Sequence, residues 1–290
     1  MTEPALEVTG LCRSYGTVRA VDDVSFALPT GGSLGIVGAS GSGKTTTARI
    51  VVGLEGADAG RVVVHGQERG SRVRGRAARL ARAREVQMVF QDPYLSLDPR
   101  ISVDAALRET LRLHFPRAGH SRRPAELLGQ VGLGARAAGA LPRELSGGQR
   151  QRVAIARALA VEPAVLVLDE AVAALDVSVQ AQILNLLADI REQTGISYLF
   201  ITHDLGVVRC VTDDIVVMRQ GRIIESGSTS QVLSAPQHPY TQLLLDSIPR
   251  PGWAPQALSS ARRNRHAQFH PNRTRDPYAT DPQRPTGGQR

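Results

Sequence analysis

Cysteine and long apolar runs are scarce in this 290-residue chain, and each scarcity excludes a class of protein. Two cysteines, Cys12 and Cys210, are too few and too far apart for a disulfide framework or a zinc site. We expect both to be ordinary buried or half-buried thiols. No stretch of the sequence approaches the roughly 18 consecutive apolar residues that span a bilayer. Residues 1–4 do not begin a secretion signal, so a cytosolic location is expected.

The formal net charge of +8 is concentrated near one end of the sequence. Residues 251–290 hold seven arginines and two aspartates, whereas the other 250 residues carry 28 basic and 25 acidic groups. This stretch is poor in apolar residues, so it cannot bury enough surface to offset chain entropy. It is predicted to be a disordered basic tail. The balanced remainder does not indicate a nucleic-acid partner.

A second arginine-rich segment runs from Arg69 to Arg84 and includes two alanine-rich helical turns. Two interpretations are open: a phosphate-binding or membrane-surface patch, or a solvated connection between predicted strands at 61–64 and 86–90. Aromatic residues that would stack on bases are not interleaved with these arginines. The solvated connection is therefore the favoured interpretation.

Lysine is also scarce, since only one of the 35 basic residues is a lysine. This lysine lies in the segment GASGSGKT at 38–45. A compact ammonium, unlike a planar guanidinium, fits between two phosphates. The segment matches the P-loop pattern G-x-x-x-x-G-K-[ST], between an apolar strand at 33–37 and a helix from Thr45. A plain glycine turn is the alternative. The residues predicted to bind a nucleotide here are Gly38, Ala39, Ser40, Gly41, Ser42, Gly43, Lys44, Thr45 and Thr46.

An apolar strand at 165–168 ends in two carboxylates, Asp169 and Glu170. A buried parallel strand that points at a ligand has this form. In P-loop ATPases the first acid holds magnesium and the second can polarise the attacking water. Together with the P-loop, the pair predicts ATP as the nucleotide and Mg²⁺ as the metal.

The pentapeptide LSGGQ at 145–149, followed by a helix at 150–160, gives the chain a resemblance to ATP-binding cassette (ABC) ATPases. The resemblance implies an α/β fold of the P-loop NTPase class: a mixed β-sheet core flanked by helices, with an α-helical subdomain. It also implies a head-to-tail dimer, in which this segment of one subunit closes over the ATP of the other. The residues that would form this second anion cradle are Ser146, Gly147, Gly148 and Gln149.

Further residues occur in the family's order. Gln91 resembles the loop glutamine that contacts magnesium and the attacking water, and His203 resembles the histidine that touches the γ-phosphate. Tyr15 resembles the aromatic residue that stacks on adenine, with an ordinary surface tyrosine as the alternative. The implied catalytic residues are Lys44, Gln91, Glu170 and His203, and the implied metal ligands are Thr45, Gln91 and Asp169.

The segment Ala173–Asp176 (AALD) resembles the loop that crosses the dimer interface, which usually begins with serine. Alanine removes any hydrogen bond from that serine. We expect Asp176 to cap the helix that begins at Val177.

Segments at 90–100, 176–187 and 238–242 resemble the branch of oligopeptide, dipeptide and nickel importers. The resemblance implies an ATPase subunit on the cytoplasmic side of the cell membrane that energises solute import. Its implied partners are permease subunits, a second ATPase subunit and, indirectly, an extracellular solute-binding protein. Two alternatives stay open: an ATP-dependent accessory protein of a cytosolic enzyme complex, of the carbon–phosphorus cleavage type, and a DNA-repair ABC ATPase.

The domain expected at 5–250 contains a helical subdomain at about 92–148 and a C-terminal extension at about 232–250. Apolar alternation and apolar runs predict its strands, and period-3.6 patterns predict its helices. Strands are predicted near 5–9, 23–28, 33–37, 61–64, 86–90, 165–168, 197–201, 214–218 and 222–226. Helices are predicted near 44–53, 148–160, 178–193 and 228–234.

Overall fold

Two sheets organise the computed structural model, which describes residues 3–70, 75–116 and 121–247. The strands are β1 (Pro4–Tyr15), β2 (Val18–Pro29), β3 (Ser33–Val37), β4 (Ala59–Val64), β5 (Gln67–Glu68), β6 (Val86–Val89), β7 (Val165–Asp169), β8 (Ser197–Thr202), β9 (Asp214–Arg219) and β10 (Arg222–Ser228). One sheet is antiparallel, in the order β2-β1-β4-β5. The other is mixed, in the order β10-β9-β3-β8-β7-β6.

Three neighbouring strands of the mixed sheet, β3, β8 and β7, are parallel and buried at every residue. Their continuous apolar sequences fit strands that are covered on both faces. The register pairs Val37 with Thr202 and Asp169 with Ile201, so the carboxyl ends of these strands reach one edge. Ligands of open α/β sheets bind at that edge.

Helices flank this sheet and fill the region between Asp92 and Gly148. In order they are α1 (Lys44–Val52), α2 (Arg76–Glu85), α3 (Val103–His114), α4 (Arg123–Gln130), α5 (Arg136–Gly139), α6 (Gly147–Leu159), α7 (Val177–Thr194), α8 (Leu205–Val211), α9 (Thr229–Ser234) and α10 (Pro239–Asp246). Short 3₁₀ turns lie at Pro93–Ser96 and Pro142–Glu144. The described residues of the 92–148 region form helices, 3₁₀ turns and loops and contain no strand.

The structure differs from the sequence-based predictions in several respects. Two sheets replace the single predicted sheet, because the hairpin of β1 and β2 is 12 residues long on each side and pairs with β4 instead of the mixed sheet. The short helices α8 and α10 were not predicted, since each is too brief for a clear helical period. Cys210, expected to be at least half-buried, is exposed, whereas Cys12 is half-buried.

Arg69 is buried, which contradicts in part the interpretation of residues 69–84 as a solvated connection. Its side chain is only 2% exposed. It donates hydrogen bonds to the Val51 carbonyl (2.5 Å) and the Arg82 carbonyl (2.7 Å). Burial first, and then repulsion from Arg82, lower the pKa of Arg69 to about 10. The guanidinium satisfies a carbonyl in the last turn of α1, where a cation is favoured.

The rest of the segment agrees better with its prediction, since α2 has no buried residue. Residues 71–74 lie outside the described part of the chain, and so does the tail predicted to be disordered at 251–290. Across the described residues, no helix is both long and apolar enough to cross a membrane.

Candidate functional site

A cleft of about 480 Å³ opens at the carboxyl edge of the parallel strands. It lies where β3 continues through the P-loop into α1, beside the ends of β6 and β7. Its lining brings together predicted residues from the P-loop, from the loop after β6 and from the paired acids after β7. The lining residues are Ala20, Ser40, Gly41, Gly43, Lys44, Thr45, Thr46, Arg49, Phe90, Gln91, Asp92, Asp169 and Glu170.

Lys44 is the first residue of α1 and is 5% exposed. Its Nζ donates hydrogen bonds to the carbonyl oxygens of Gly38 (2.8 Å) and Ala39 (2.9 Å), within the P-loop. Burial lowers the pKa of Lys44, while the negative charges of Glu170 and Asp169 act in the opposite direction. The ammonium is therefore desolvated, and a bound anion would offset part of that cost.

Thr45 and Asp169 meet at the base of the cleft, 124 positions apart in the chain. The Thr45 hydroxyl donates to Asp169 Oδ1 at 3.3 Å. Burial is the main cause that raises the pKa of Asp169; the Thr45 hydrogen bond opposes it, and repulsion from Glu170 adds to it. A bound cation would relieve this cost, and hydroxyl and carboxylate oxygens are the ligands that Mg²⁺ prefers.

The described residues contain no cluster of three or more His, Cys, Asp or Glu that could hold a metal unaided. This is compatible with Mg²⁺, which is commonly bound through one or two carboxylates together with waters and substrate phosphates. The Thr45 hydroxyl and the Asp169 carboxylate supply oxygen ligands of the kind that fit this metal.

Glu170 follows β7 in a left-handed conformation, with φ +48°. Its N–H donates to the Ile201 carbonyl on the adjacent strand, at 2.8 Å. Strained backbone of this kind persists only where the surrounding structure holds it, and it often occurs at functional sites. His203, just beyond β8, places Nδ1 3.1 Å from Glu170 Oε1. Two of the four predicted catalytic residues, Glu170 and His203, are therefore in contact across neighbouring strand ends.

The LSGGQ segment forms the start of α6, away from the lining of this cleft. Ser146 caps the helix by accepting a hydrogen bond from the Gln149 N–H at 3.3 Å, and Gln149 Oε1 accepts from the Ser146 N–H at 2.9 Å. A Cβ on Gly148 would lie 2.4 Å from Val179 Cγ1 on α7. Glycine is thus required for α6 to approach α7 this closely.

Tyr15 and Asp176 differ in part from their predicted settings. Tyr15 is 46% exposed, its hydroxyl contacts Glu55, and the Arg13 guanidinium lies 5.0 Å from its ring centroid. It is not part of the cleft lining, and its stacking on adenine stays a prediction. Asp176 occupies the cap position of α7, but its side chain makes no capping hydrogen bond, so that expectation was wrong.

Sequence reasoning missed four lining residues, Ala20, Arg49, Phe90 and Asp92, and one contact from outside the cleft. The Tyr240 hydroxyl accepts a hydrogen bond from the Ala39 N–H at 3.1 Å. Its only sequence signal was the segment HPYTQ at 238–242, noted as typical of peptide importers.

Comparison with known proteins identifies the family of this chain. Residues 21–173 match the family model described as ABC transporter, and residues 224–274 match that of the oligopeptide/dipeptide transporter C-terminal region. A putative peptide import ATP-binding protein of Brucella abortus is 49% identical over 235 residues, which are 80% of this chain and 70% of that protein. An oligopeptide transport ATP-binding protein of Bacillus subtilis is 44% identical, over 87% of this chain and 84% of that protein. A glutathione import ATP-binding protein of Salmonella paratyphi A is 44% identical, over 85% of this chain and 41% of that protein.

Solved structures agree with the fold. The structure of cbiO1 of Clostridium perfringens, described as part of an ABC transporter complex, superposes with a TM-score of 0.73 at 28% identity, covering 80% of this chain and 92% of that one. The cassette MJ0796, solved as a dimer bound to ADP and phosphate, gives a TM-score of 0.69 at 27% identity, covering 77% and 98%. The P-loop, the paired acids and the LSGGQ helix thus occur in a chain that belongs to the ABC transporter family, as an ATP-hydrolysing, ATP-binding protein of the oligopeptide and dipeptide branch.

Proposed function

We propose that this chain binds MgATP in the cleft at 38–46 and uses its hydrolysis to drive import of peptide-class solutes through a membrane permease. One observation carries the site assignment: Lys44, the Thr45–Asp169 pair and the Glu170–His203 pair converge on one cleft at the carboxyl edge of the sheet. Each pair joins residues from distant motifs, and together they supply a cation, metal-type oxygens and a candidate base.

Each group has a distinct role in this proposal. Lys44 leaves the loop carbonyls and neutralises the β- and γ-phosphates, and the P-loop N–H groups hold the phosphate oxygens. The oxygens of Thr45, Gln91 and Asp169 would hold Mg²⁺, which neutralises charge on the phosphates when bound.

Glu170 and His203 act on the opposite side of the transferred group. The Glu170 carboxylate accepts a hydrogen bond from the attacking water and orients it toward the γ-phosphorus. His203 stays close to that carboxylate and supports the γ-phosphate. Most of the acceleration is positional and electrostatic, as is usual for phosphoryl transfer.

The solute class is proposed from the relatives, whose names specify peptide, oligopeptide or glutathione import, all of them peptides. The proposed partners are two permease subunits, a second ATPase subunit and, indirectly, an extracellular solute-binding protein. The chain would then be peripheral, on the cytoplasmic side of the cell membrane. A strain lacking this chain should lose uptake of a labelled tripeptide and keep uptake of nickel. The reverse result would reject the peptide assignment.

The site assignment is tested by nucleotide titration and phosphate release on three purified variants. Lys44→Ala should lose ATP binding, because the phosphates lose their buried cation. Glu170→Gln should bind ATP with near wild-type affinity and lose hydrolysis by at least about 100-fold, since only water activation is removed. Glu192→Gln, an exposed change of the same kind on α7, is the control and should behave as wild type. Wild-type hydrolysis in Glu170→Gln would reject its role.

A further inference from the structure

A tyrosine from the C-terminal part of the described chain contacts the P-loop. Tyr240, on the first turn of α10, accepts a hydrogen bond from the Ala39 N–H at 3.1 Å, across 201 positions of sequence. The tyrosine is half-buried, and the Arg219 guanidinium lies 4.9 Å from its ring centroid. A cation over the ring face holds it in a defined orientation.

The start of α10 is itself anchored to β10. Glu225 accepts hydrogen bonds from the backbone N–H groups of Gln237 (2.7 Å) and His238 (3.1 Å). His238 Nδ1 in turn accepts from the Tyr240 N–H at 3.0 Å. Thr241, the next residue, is 1% exposed. These contacts hold the tyrosine in place, so its hydroxyl is a fixed acceptor for the loop.

The P-loop rests on the same strand end as the tyrosine ring. A Cβ on Gly38 would lie 2.2 Å from the Met218 carbonyl oxygen, so the loop begins in direct contact with β9. Arg219, which follows Met218, lies over the Tyr240 ring. The P-loop and Tyr240 thus both contact the end of the same strand, β9.

The hydrogen bond lies outside the lining of the cleft, although Ala39 was among the residues predicted to bind the nucleotide. Neither Ala39 nor Tyr240 is among the described residues that line the cleft. The tyrosine therefore does not compete with a phosphate for its donor. Lys44 holds the carbonyls of Gly38 and Ala39, and it would release both on turning to a nucleotide. The Tyr240 hydroxyl then remains as a side-chain anchor of this half of the loop.

We propose that Tyr240 is a positioning residue for ATP binding, which fixes the first half of the P-loop from α10 and so raises the affinity of the cleft for nucleotide phosphates. The inference rests on the proposed binding of ATP at the P-loop. Without the hydroxyl, the loop must be ordered by the nucleotide itself, and that cost weakens binding. A single hydrogen bond of this kind corresponds to about a two- to tenfold effect.

The test is Tyr240→Phe in the full chain, which keeps the ring and its Arg219 contact and removes only the hydroxyl. The Kd for ATP and the KM for MgATP should both rise about two- to tenfold, with kcat changed less than twofold. Hydrogen exchange in a peptide covering 38–43 should become faster. Tyr198→Phe is the matched control, because it removes a buried hydroxyl that donates to the Leu187 carbonyl at 2.9 Å. The control should lower Tm and leave KM unchanged.

The outcomes separate this inference from the function on which it rests. An unchanged KM with unchanged loop exchange in Tyr240→Phe would overturn the positioning role, and so would a lower Tm without a change in KM. If Lys44→Ala still abolishes ATP binding in the same assay, the proposed nucleotide site stands in either case. A wild-type chain that does not bind ATP would overturn both proposals.

Discussion

At the residue scale, the cleft concentrates charges that are each costly to bury alone. Burial lowers the pKa of Lys44 and raises the pKa of Asp169, so in both groups the charged form is disfavoured. The charge of each group stabilises the charged form of the other, because the two charges are opposite. A phosphate and a divalent cation would supply the missing partners for both. A ligand that carries both charges would therefore lower the cost of burying these two charged side chains.

Gly148 shows how one residue can determine an approach between helices. Gly148→Ala should destabilise the protein by about 1–3 kcal/mol, because its methyl group would overlap Val179, a side chain with little rotamer freedom. Urea unfolding measures this. In the double variant with Val179→Ala, the two costs should be less than additive.

Gly129→Ala is the control for that series. Gly129 also lies in a helix, α4, but a Cβ there meets no atom within 4 Å. The control should be neutral or stabilise by up to about 1 kcal/mol, through helix propensity alone. Equal behaviour of the two alanine variants would contradict the packing role of Gly148.

At the scale of elements, the contact between β10 and α10 has a defined dependence on pH. Burial tends to raise the pKa of Glu225, but the nearby Thr241 side chain and the backbone hydrogen bonds from Gln237 and His238 outweigh it, and the net pKa is lowered. A carboxylate with a lowered pKa stabilises the fold above its unfolded pKa, and this contribution is lost as pH falls through the folded value. The stability difference between wild type and Glu225→Gln should therefore shrink between about pH 5 and pH 3.

Urea unfolding at several pH values tests that dependence, with Glu192→Gln as an exposed control. The control should show little difference from wild type at any pH in the range. A Glu225→Gln difference that stays constant from pH 5 to pH 3 would show that the ionised carboxylate does not hold α10.

At the scale of the whole molecule, the nucleotide site is expected to be shared between two chains. The LSGGQ segment at the start of α6 lies outside the cleft lining, although its exposed cap residue Ser146 resembles a second phosphate contact. Specific ATPase activity should therefore fall on dilution, because association completes the site. Ser146→Arg should abolish this activity and leave ATP binding to the chain's own P-loop intact.

Light scattering in the presence of ATP tests whether Ser146→Arg loses activity because it no longer forms the dimer. Glu170→Gln, which retains the nucleotide, should show a doubled molar mass with ATP, and Ser146→Arg should remain monomeric. Full activity from a demonstrably monomeric wild type, constant over a wide dilution series, would exclude a shared site.

The sequence by itself determined the local chemistry of this protein. The P-loop, the paired acids at 169–170 and the LSGGQ helix start each consist of consecutive residues, so their spacing alone indicates strand, loop and helix. The buried parallel strands were likewise predictable, because both of their faces are apolar and the run of residues is short. The family resemblance derived from these motifs is confirmed by the matches at 21–173 and 224–274.

Only the tertiary structure decided which distant residues meet. It joined Glu170 to His203, buried Arg69 under α1, separated the long hairpin into its own sheet and placed Tyr240 against the P-loop. These contacts depend on strand order and on packing between elements up to 201 positions apart. A one-dimensional pattern carries the periodicity of an element, but the neighbour of a side chain is selected by burial and hydrogen bonding across the whole fold.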